Sequence, residues 1–142
     1  MKMRNLTANK SIFDFILTCL VFGFLVVGNA SAMDAQSGSW TDKKYSVDGN
    51  WSIEKRGDQQ VIVFDDSFNT KTGPDLKLFL SPASIDTVTG KNATEGSVLV
   101  SALKSNKGAQ EYVIPADINI NDYQSLLIHC EQYSVLWGGT GL

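Results

Sequence analysis

From residue 45 onward the apolar positions of the chain recur every second residue, the spacing of side chains that share one face of an extended strand. Tyr45 and Val47 alternate with polar residues, Asp48-Gly49 follows, and Trp51 and Ile53 resume the alternation. Aspartate and glycine tolerate the positive backbone angles of tight turns, so this stretch predicts a hairpin. Gly57-Asp58 predicts a second turn, feeding the apolar run Val61-Ile62-Val63-Phe64. After a loop through Gly73-Pro74, Leu76, Leu78 and Leu80 mark the inward face of another strand. Pro82 to Gly96 is polar and irregular, the pattern of a long variable loop. Val98 to Leu103 and Glu111 to Ile114, joined across Ser105-Asn106-Lys107-Gly108, predict a further hairpin. Pro115 ends it, because proline cannot donate to a ladder. No stretch beyond residue 32 carries a helical stripe. The expected fold is all-β: a single-domain antiparallel β-sandwich of about eight short strands.

The last apolar segment repeats the alternation. Leu126, Ile128 and Cys130 share one face, and Leu127, His129 and Glu131 share the other. Tyr133, Val135 and Trp137 continue the face of Glu131, so a bulge or tight turn is predicted near Glu131-Gln132. Cys130 should therefore point into the core with Leu76, Leu78, Leu80 and Ile128. His129, the only histidine, should point away and stand half-exposed. Neighbours on a strand face opposite sides, so the two should not form a thiolate–imidazole pair despite their adjacency.

The first 32 residues have a different character. Lys2, Arg4 and Lys10 give a positive start, Ile16 to Val27 is apolar apart from Thr18 and Gly23, and Ala30-Ser31-Ala32 supplies small residues for a peptidase. This is the pattern of a secretory signal peptide over residues 1–32, leaving a domain of residues 33–142. Its apolar core falls short of the roughly 20 residues a spanning helix needs, so membrane contact is expected only if the peptide stays uncleaved. Removal takes Cys19 with it, along with three of the 12 basic and one of the 15 acidic residues, leaving 9 against 14, a net charge of −5. A mildly acidic secreted domain has no electrostatic footprint for nucleic acid. Cys130 then has no partner for an internal disulfide, and a lone thiol in an oxidising compartment stands out.

Most chemistries that use such a thiol lack their other parts. A blue-copper site needs histidine and methionine ligands beside its cysteine, whereas His129 is alone and Met33 is the only methionine after residue 32. Structural zinc needs about four ligands, and no Cys-x-x-Cys-His haem-attachment signal is present. No metal site is therefore expected. Asp65, Asp66 and Asp75 could approach one another as calcium ligands, but such acids more often cap turns. Arg56-Gly57-Asp58 matches an adhesion tripeptide but falls where a turn is wanted. Asn50-Trp51-Ser52 and Asn92-Ala93-Thr94 fit the glycosylation pattern. No base, nucleophile and orienting group form a plausible catalytic set.

The order and spacing of several features together resemble the DM-thirteen family, a secreted all-β electron-transfer module. They are Tyr45-Ser46-Val47-Asp48-Gly49, Phe68, Gly73-Pro74-Asp75-Leu76, Phe79-Leu80-Ser81, Leu103-Lys104, Gly108, Gln110, Tyr112 and Ile114-Pro115. Tyr123, Ser125, Ile128, Cys130, Tyr133-Ser134-Val135, Trp137-Gly138 and Gly141-Leu142 complete the set, from about Gly38 to Leu142. The resemblance implies that Cys130 is the hallmark cysteine, a redox thiol or a ligand to a prosthetic group such as haem. It implies an electron-transfer accessory domain more than a stand-alone enzyme, served by a redox or cell-surface protein partner on another chain. Two positions depart from the family: His129 stands where tryptophan is usual, and Tyr45 where a first-strand histidine is frequent. The second departure favours a bare thiol over a bound cofactor. Against this stands a non-catalytic secreted binding module with Cys130 as a core residue. No basic residue adjoins Cys130, and Glu131 opposes the positive potential that activates a thiol.

Overall fold

The computed structural model describes residues 36–142; the predicted signal peptide and its cleavage site lie outside them. Eleven strands follow one another: β1 (Ser37–Ser39), β2 (Thr41–Asp42), β3 (Val47–Asp48), β4 (Asn50–Arg56), β5 (Gln59–Phe64), β6 (Asn69–Thr70), β7 (Leu76–Ser81), β8 (Val98–Ala102), β9 (Gln110–Val113), β10 (Ser125–Cys130) and β11 (Val135–Gly141). A single 3-10 turn, Ile120–Asp122, precedes β10, and the described residues contain no α-helix. The strands form a four-stranded sheet β1-β4-β5-β9, a five-stranded sheet β2-β11-β10-β7-β8 and a small β3-β6 pair. All pairings are antiparallel.

The alternation read from the sequence places the core. Trp51, Ile53, Ile62, Phe64 and Tyr112 of the four-stranded sheet share one buried cluster with Leu76, Leu78, Leu80, Leu126, Ile128, Cys130 and Trp137 of the five-stranded sheet. Facing side chains from two sheets make the sandwich interior. Phe64 organises an aromatic group there, with ring centroids 4.9 Å from Trp40, 4.7 Å from Phe68 and 5.3 Å from Tyr112. Burying each large apolar side chain contributes about 1.5–3 kcal/mol. The Tyr112 hydroxyl donates to Gln110 Oε1 at 2.5 Å and accepts from the Lys104 amide at 2.9 Å, so its polar end is satisfied. Burial pushes its pKa upward.

Predicted faces hold, whereas several predicted partners do not. The Gly57-Asp58 turn joins β4 to β5 with Arg56 opposite Gln59. The turn at Asp48-Gly49 makes no hairpin. β3 pairs with β6, and Trp51 pairs with Gly38 and Phe64. Gly49 instead redirects the chain at φ +96°, where a Cβ would sit 2.6 Å from the backbone of Phe68. β8 and β9 are not a hairpin either: β8 edges the five-stranded sheet beside β7, and β9 edges the other beside β5. Period-two alternation fixes which way a side chain points but is silent on which strand lies alongside.

The loop after β7 is also more than a polar excursion. Its Ile85, Val88 and Ala93 form a second buried cluster with Phe79, Leu127 and Leu136, on the outer face of the five-stranded sheet. Gly90 lies so close to the Ser134 carbonyl that no side chain fits between them. This sheet is therefore covered on both sides, and every residue of β10 is buried.

Candidate functional site

Cys130 is the last residue of β10, paired with Leu76 of β7 and Val135 of β11. It is free, fully buried and part of the inner cluster, as the strand phase predicts. The neighbouring strand is out of simple phase. Ile128 pairs with Gly138 and His129 with Leu136, which leaves Trp137 as the extra residue of a β-bulge. Val135, opposite Cys130, and Trp137, two residues on, pack toward the inner cluster, and Leu136, opposite His129, toward the outer one. The predicted tight turn is present at Glu131–Ser134, closed by the Ser134 amide donating to the Glu131 carbonyl, with Ser134 at φ 51°. The bulge lies at Trp137 and not at Glu131-Gln132.

Trp137 closes this end of the sandwich. A Cβ added to Gly73 would lie 2.9 Å from both the tip of the Trp137 indole and Leu76 Cδ2, so these two side chains meet at Gly73. One comes from β11 and the other from β7, the two strands that flank β10. Trp137 and Cys130 belong to the same inner cluster. Trp137 Nε1 donates to the Lys71 carbonyl at 3.0 Å, which fixes the ring. Tyr45 stacks on it with centroids 4.1 Å apart, and Lys71 Nζ sits 4.7 Å over the Tyr45 ring. Tyr45 is half-buried, so the stack runs from the thiol's end of the core to the surface. Sequence reasoning assigned Tyr45 and Trp137 only to strand faces. The four-residue turn that sets Val135 opposite Cys130 brings Trp137 inward with it.

His129 occupies the opposite face, as predicted, so no thiol–imidazole pair forms. The expectation of exposure is wrong: His129 is only 2% exposed, under the loop that follows β7. Phe79 meets it edge-on at 6.0 Å, and its Nδ1 has no hydrogen-bond partner. Burial lowers its pKa, against the raising influence of Glu131, the Val135 carbonyl and Asp75. Lys77, its partner across the sheet, is held by Glu131 and by Asp75 at 3.4 Å. These carboxylates keep the Lys77 ammonium above its ordinary pKa.

The remaining motifs settle into structural work. Asp65 accepts from the Asn50 and Ser67 amides, from Asn50 Nδ2 at 2.8 Å and from Ser67 Oγ at 2.6 Å, a turn-capping role that lowers its pKa. Among the described residues no three His, Cys, Asp or Glu side chains are grouped to hold a metal ion. Arg56 grips Glu111 through two 2.8 Å contacts and Glu54 at 2.9 Å, so its guanidinium is engaged. Asn92 Oδ1 accepts from the Thr89 amide at 2.7 Å and shapes its own turn.

A haem ligand role fits Cys130 poorly. The cavity of about 350 Å³ at Thr72–Leu76 and Ala102–Asn106 and the groove of about 520 Å³ at Asp42–Lys44, Thr89-Gly90 and Ser134–Leu136 are both lined without it. The thiol is enclosed in packed side chains, with no room for a macrocycle beside it.

A protein-family model described as "Electron transfer DM13" matches residues 39–142. No curated protein and no solved structure matches the chain.

Proposed function

Because the chain belongs to the electron transfer DM13 family, we propose that it is a secreted electron-transfer domain whose working group is the bare thiol of Cys130. The observation that carries this reading is the position of Cys130. It is the one cysteine of the described domain, at the end of a central strand, in the same buried cluster as Trp137, on which the half-buried Tyr45 stacks. A bare thiol is preferred because the packing around it leaves no place for haem. Secretion rests on the signal-peptide pattern of residues 1–32; mass spectrometry of exported protein should find Met33 at the N-terminus, and an intact leader would refute cleavage.

The test is electron exchange between the purified domain and a chemical oxidant, followed in the native protein, Cys130→Ala and Cys130→Ser. Both substitutions should abolish exchange while the fold survives. Full burial of Cys130 favours a second reading, a non-catalytic secreted binding module. Folded cysteine variants that exchange electrons as well as the native protein would refute the thiol as the working group, and a native protein that exchanges none would favour the second reading.

A further inference from the structure

We propose that residues 82–97 form a hinged cover over the outer face of the five-stranded sheet, and that His129 beneath it is the acid-sensitive group that releases it. The segment is built as a separate unit. Its two ends meet, since a Cβ added at Gly96 would lie 3.3 Å from Pro82 Cγ, with Gly96 at φ +65°. A surface segment of this length with its ends together has the form of an Ω-loop. The first end is fixed beside β10, where Gln124 Nε2 donates to the Pro82 carbonyl at 2.7 Å and Ser125 Oγ to the Ala83 carbonyl at 2.8 Å. From Ser84 to Ser97 the hydrogen bonds close within the segment. The Val88 amide donates to the Ser84 carbonyl, the Thr89 amide to Asn92 Oδ1, and Ser97 Oγ to the Ala93 carbonyl. Among the described residues none of them crosses to a strand, and Asp86, Lys91 and Glu95 form no ion pair. Apolar contact seats the cover instead. Ile85, Val88 and Ala93 rest on Phe79, Leu127 and Leu136, and a Cβ added at Gly139 would stand 2.5 Å from Ile85 Cδ1. Such a unit can open locally, below the free energy of global unfolding.

His129 lies within that contact. It shares a face with Leu127, pairs with Leu136 and meets Phe79 edge-on, and its Nδ1 has no partner. The charged groups around it are Glu131 in the turn after its own strand, and Asp75 and Lys77 on the β7 side. β11 carries no charged residue, and the cover's Asp86, Lys91 and Glu95 are exposed. Lys77 pairs with both Asp75 and Glu131, so an imidazolium would compete with an ammonium for them. Burial under the closed cover therefore favours the neutral ring. The opened site returns it to water and to its ordinary value of roughly 6.5. The open form takes up the proton more readily, so acid drives opening, and above that value the cover stays closed. The device needs no chemistry at Cys130.

The experiment is hydrogen–deuterium exchange of the protein at pH 7.5 and 5.5, corrected for the intrinsic pH dependence of exchange. Undocked, a segment without a core of its own cannot hold its turns, so its amides report opening. The opening equilibrium of 82–97 should rise about tenfold between the two pH values, the uptake of a group of pKa roughly 6.5 that binds its proton only in the open form. At both pH values it should exceed the opening of β4 and β5 by about tenfold or more. His129→Phe and His129→Gln, one apolar and one polar but both neutral, should abolish the rise, and exchange in β4 and β5 reports whether each variant is folded. Gly90→Ala, which drives a side chain into the Ser134 carbonyl, should open the cover at both pH values and keep the pH response. An unchanged opening equilibrium at pH 5.5, or a rise that survives both His129 substitutions, would overturn the proposal. So would equal opening of the cover and of β4 and β5, because the segment would then leave only with the whole fold.

Discussion

Serine and alanine at position 130 probe the site in opposite ways, and their ranking tests the geometry. Cys130 is fully buried among Leu76, Leu78, Ile128 and Trp137 of the inner cluster, with no polar side chain in that cluster beyond the tyrosine hydroxyls and indole nitrogens. Alanine deletes one heavy atom the size of a methylene, a loss of about 0.8 kcal/mol of transfer energy with a small cavity term on top. Serine nearly preserves the volume but strands a hydroxyl in apolar surroundings, at a cost of about 1–3 kcal/mol. Serine should therefore be the less stable of the two. Urea unfolding followed by tryptophan fluorescence is the assay, since Trp40, Trp51 and Trp137 are all buried in the native state. In a domain of this size each kcal/mol lowers Tm by about 4 °C. A serine variant as stable as the native protein, within about 0.5 kcal/mol, would mean that the hydroxyl finds water or a partner. Position 130 would then not be the sealed apolar site described above.

Leu78→Ala removes a side chain of zero exposure from the middle of β7 and should cost about 2–5 kcal/mol in urea unfolding; a loss well under 1 kcal/mol would reverse the assigned faces. Gly49→Ala should destabilise by at least about 2 kcal/mol, because it forces a Cβ onto the Phe68 backbone at positive φ; a neutral result would contradict that close approach. The lowered pKa of His129 has a defined pH consequence. The unfolded chain takes up its proton first, so stability is intact above the ordinary histidine value of roughly 6.5 and declines as pH falls from there through the lowered folded-state value. His129→Phe should flatten that part of the stability profile while leaving the steeper carboxylate-driven loss at lower pH, where Asp65 and Glu111 are protonated; an unchanged slope would refute the burial argument.

The physics of what was legible in the sequence separates orientation from neighbourhood. Leu76, Leu78, Leu80, Ile128 and Cys130 all point inward as their spacing of two requires. The partners of β3, β8 and β9 could not be read, because strand pairing is decided by distant residues and the chain passes between sheets at Gly49 and in the segment 103–109. His129 was misjudged for a related reason. Alternation assumes that one face of a sheet meets water, and the segment 82–97 covers that face. The candidate site was half legible: Cys130 by phase and family resemblance, but not the Tyr45–Trp137–Gly73 closure, which joins segments far apart in the chain.

The covering segment 82–97 also changes how the domain should be engineered. A long, polar connection between strands is where a tag, a label or an inserted domain is ordinarily placed. Here that choice would be a mistake. Ile85, Val88 and Ala93 are core residues carried on a loop, and Gly90 touches the opposite turn. An insertion among them would strip one side of β10 and unseat His129. The two-residue turn Gly57-Asp58 is the better graft point: at Gly57, an added side chain would meet nothing within 4 Å.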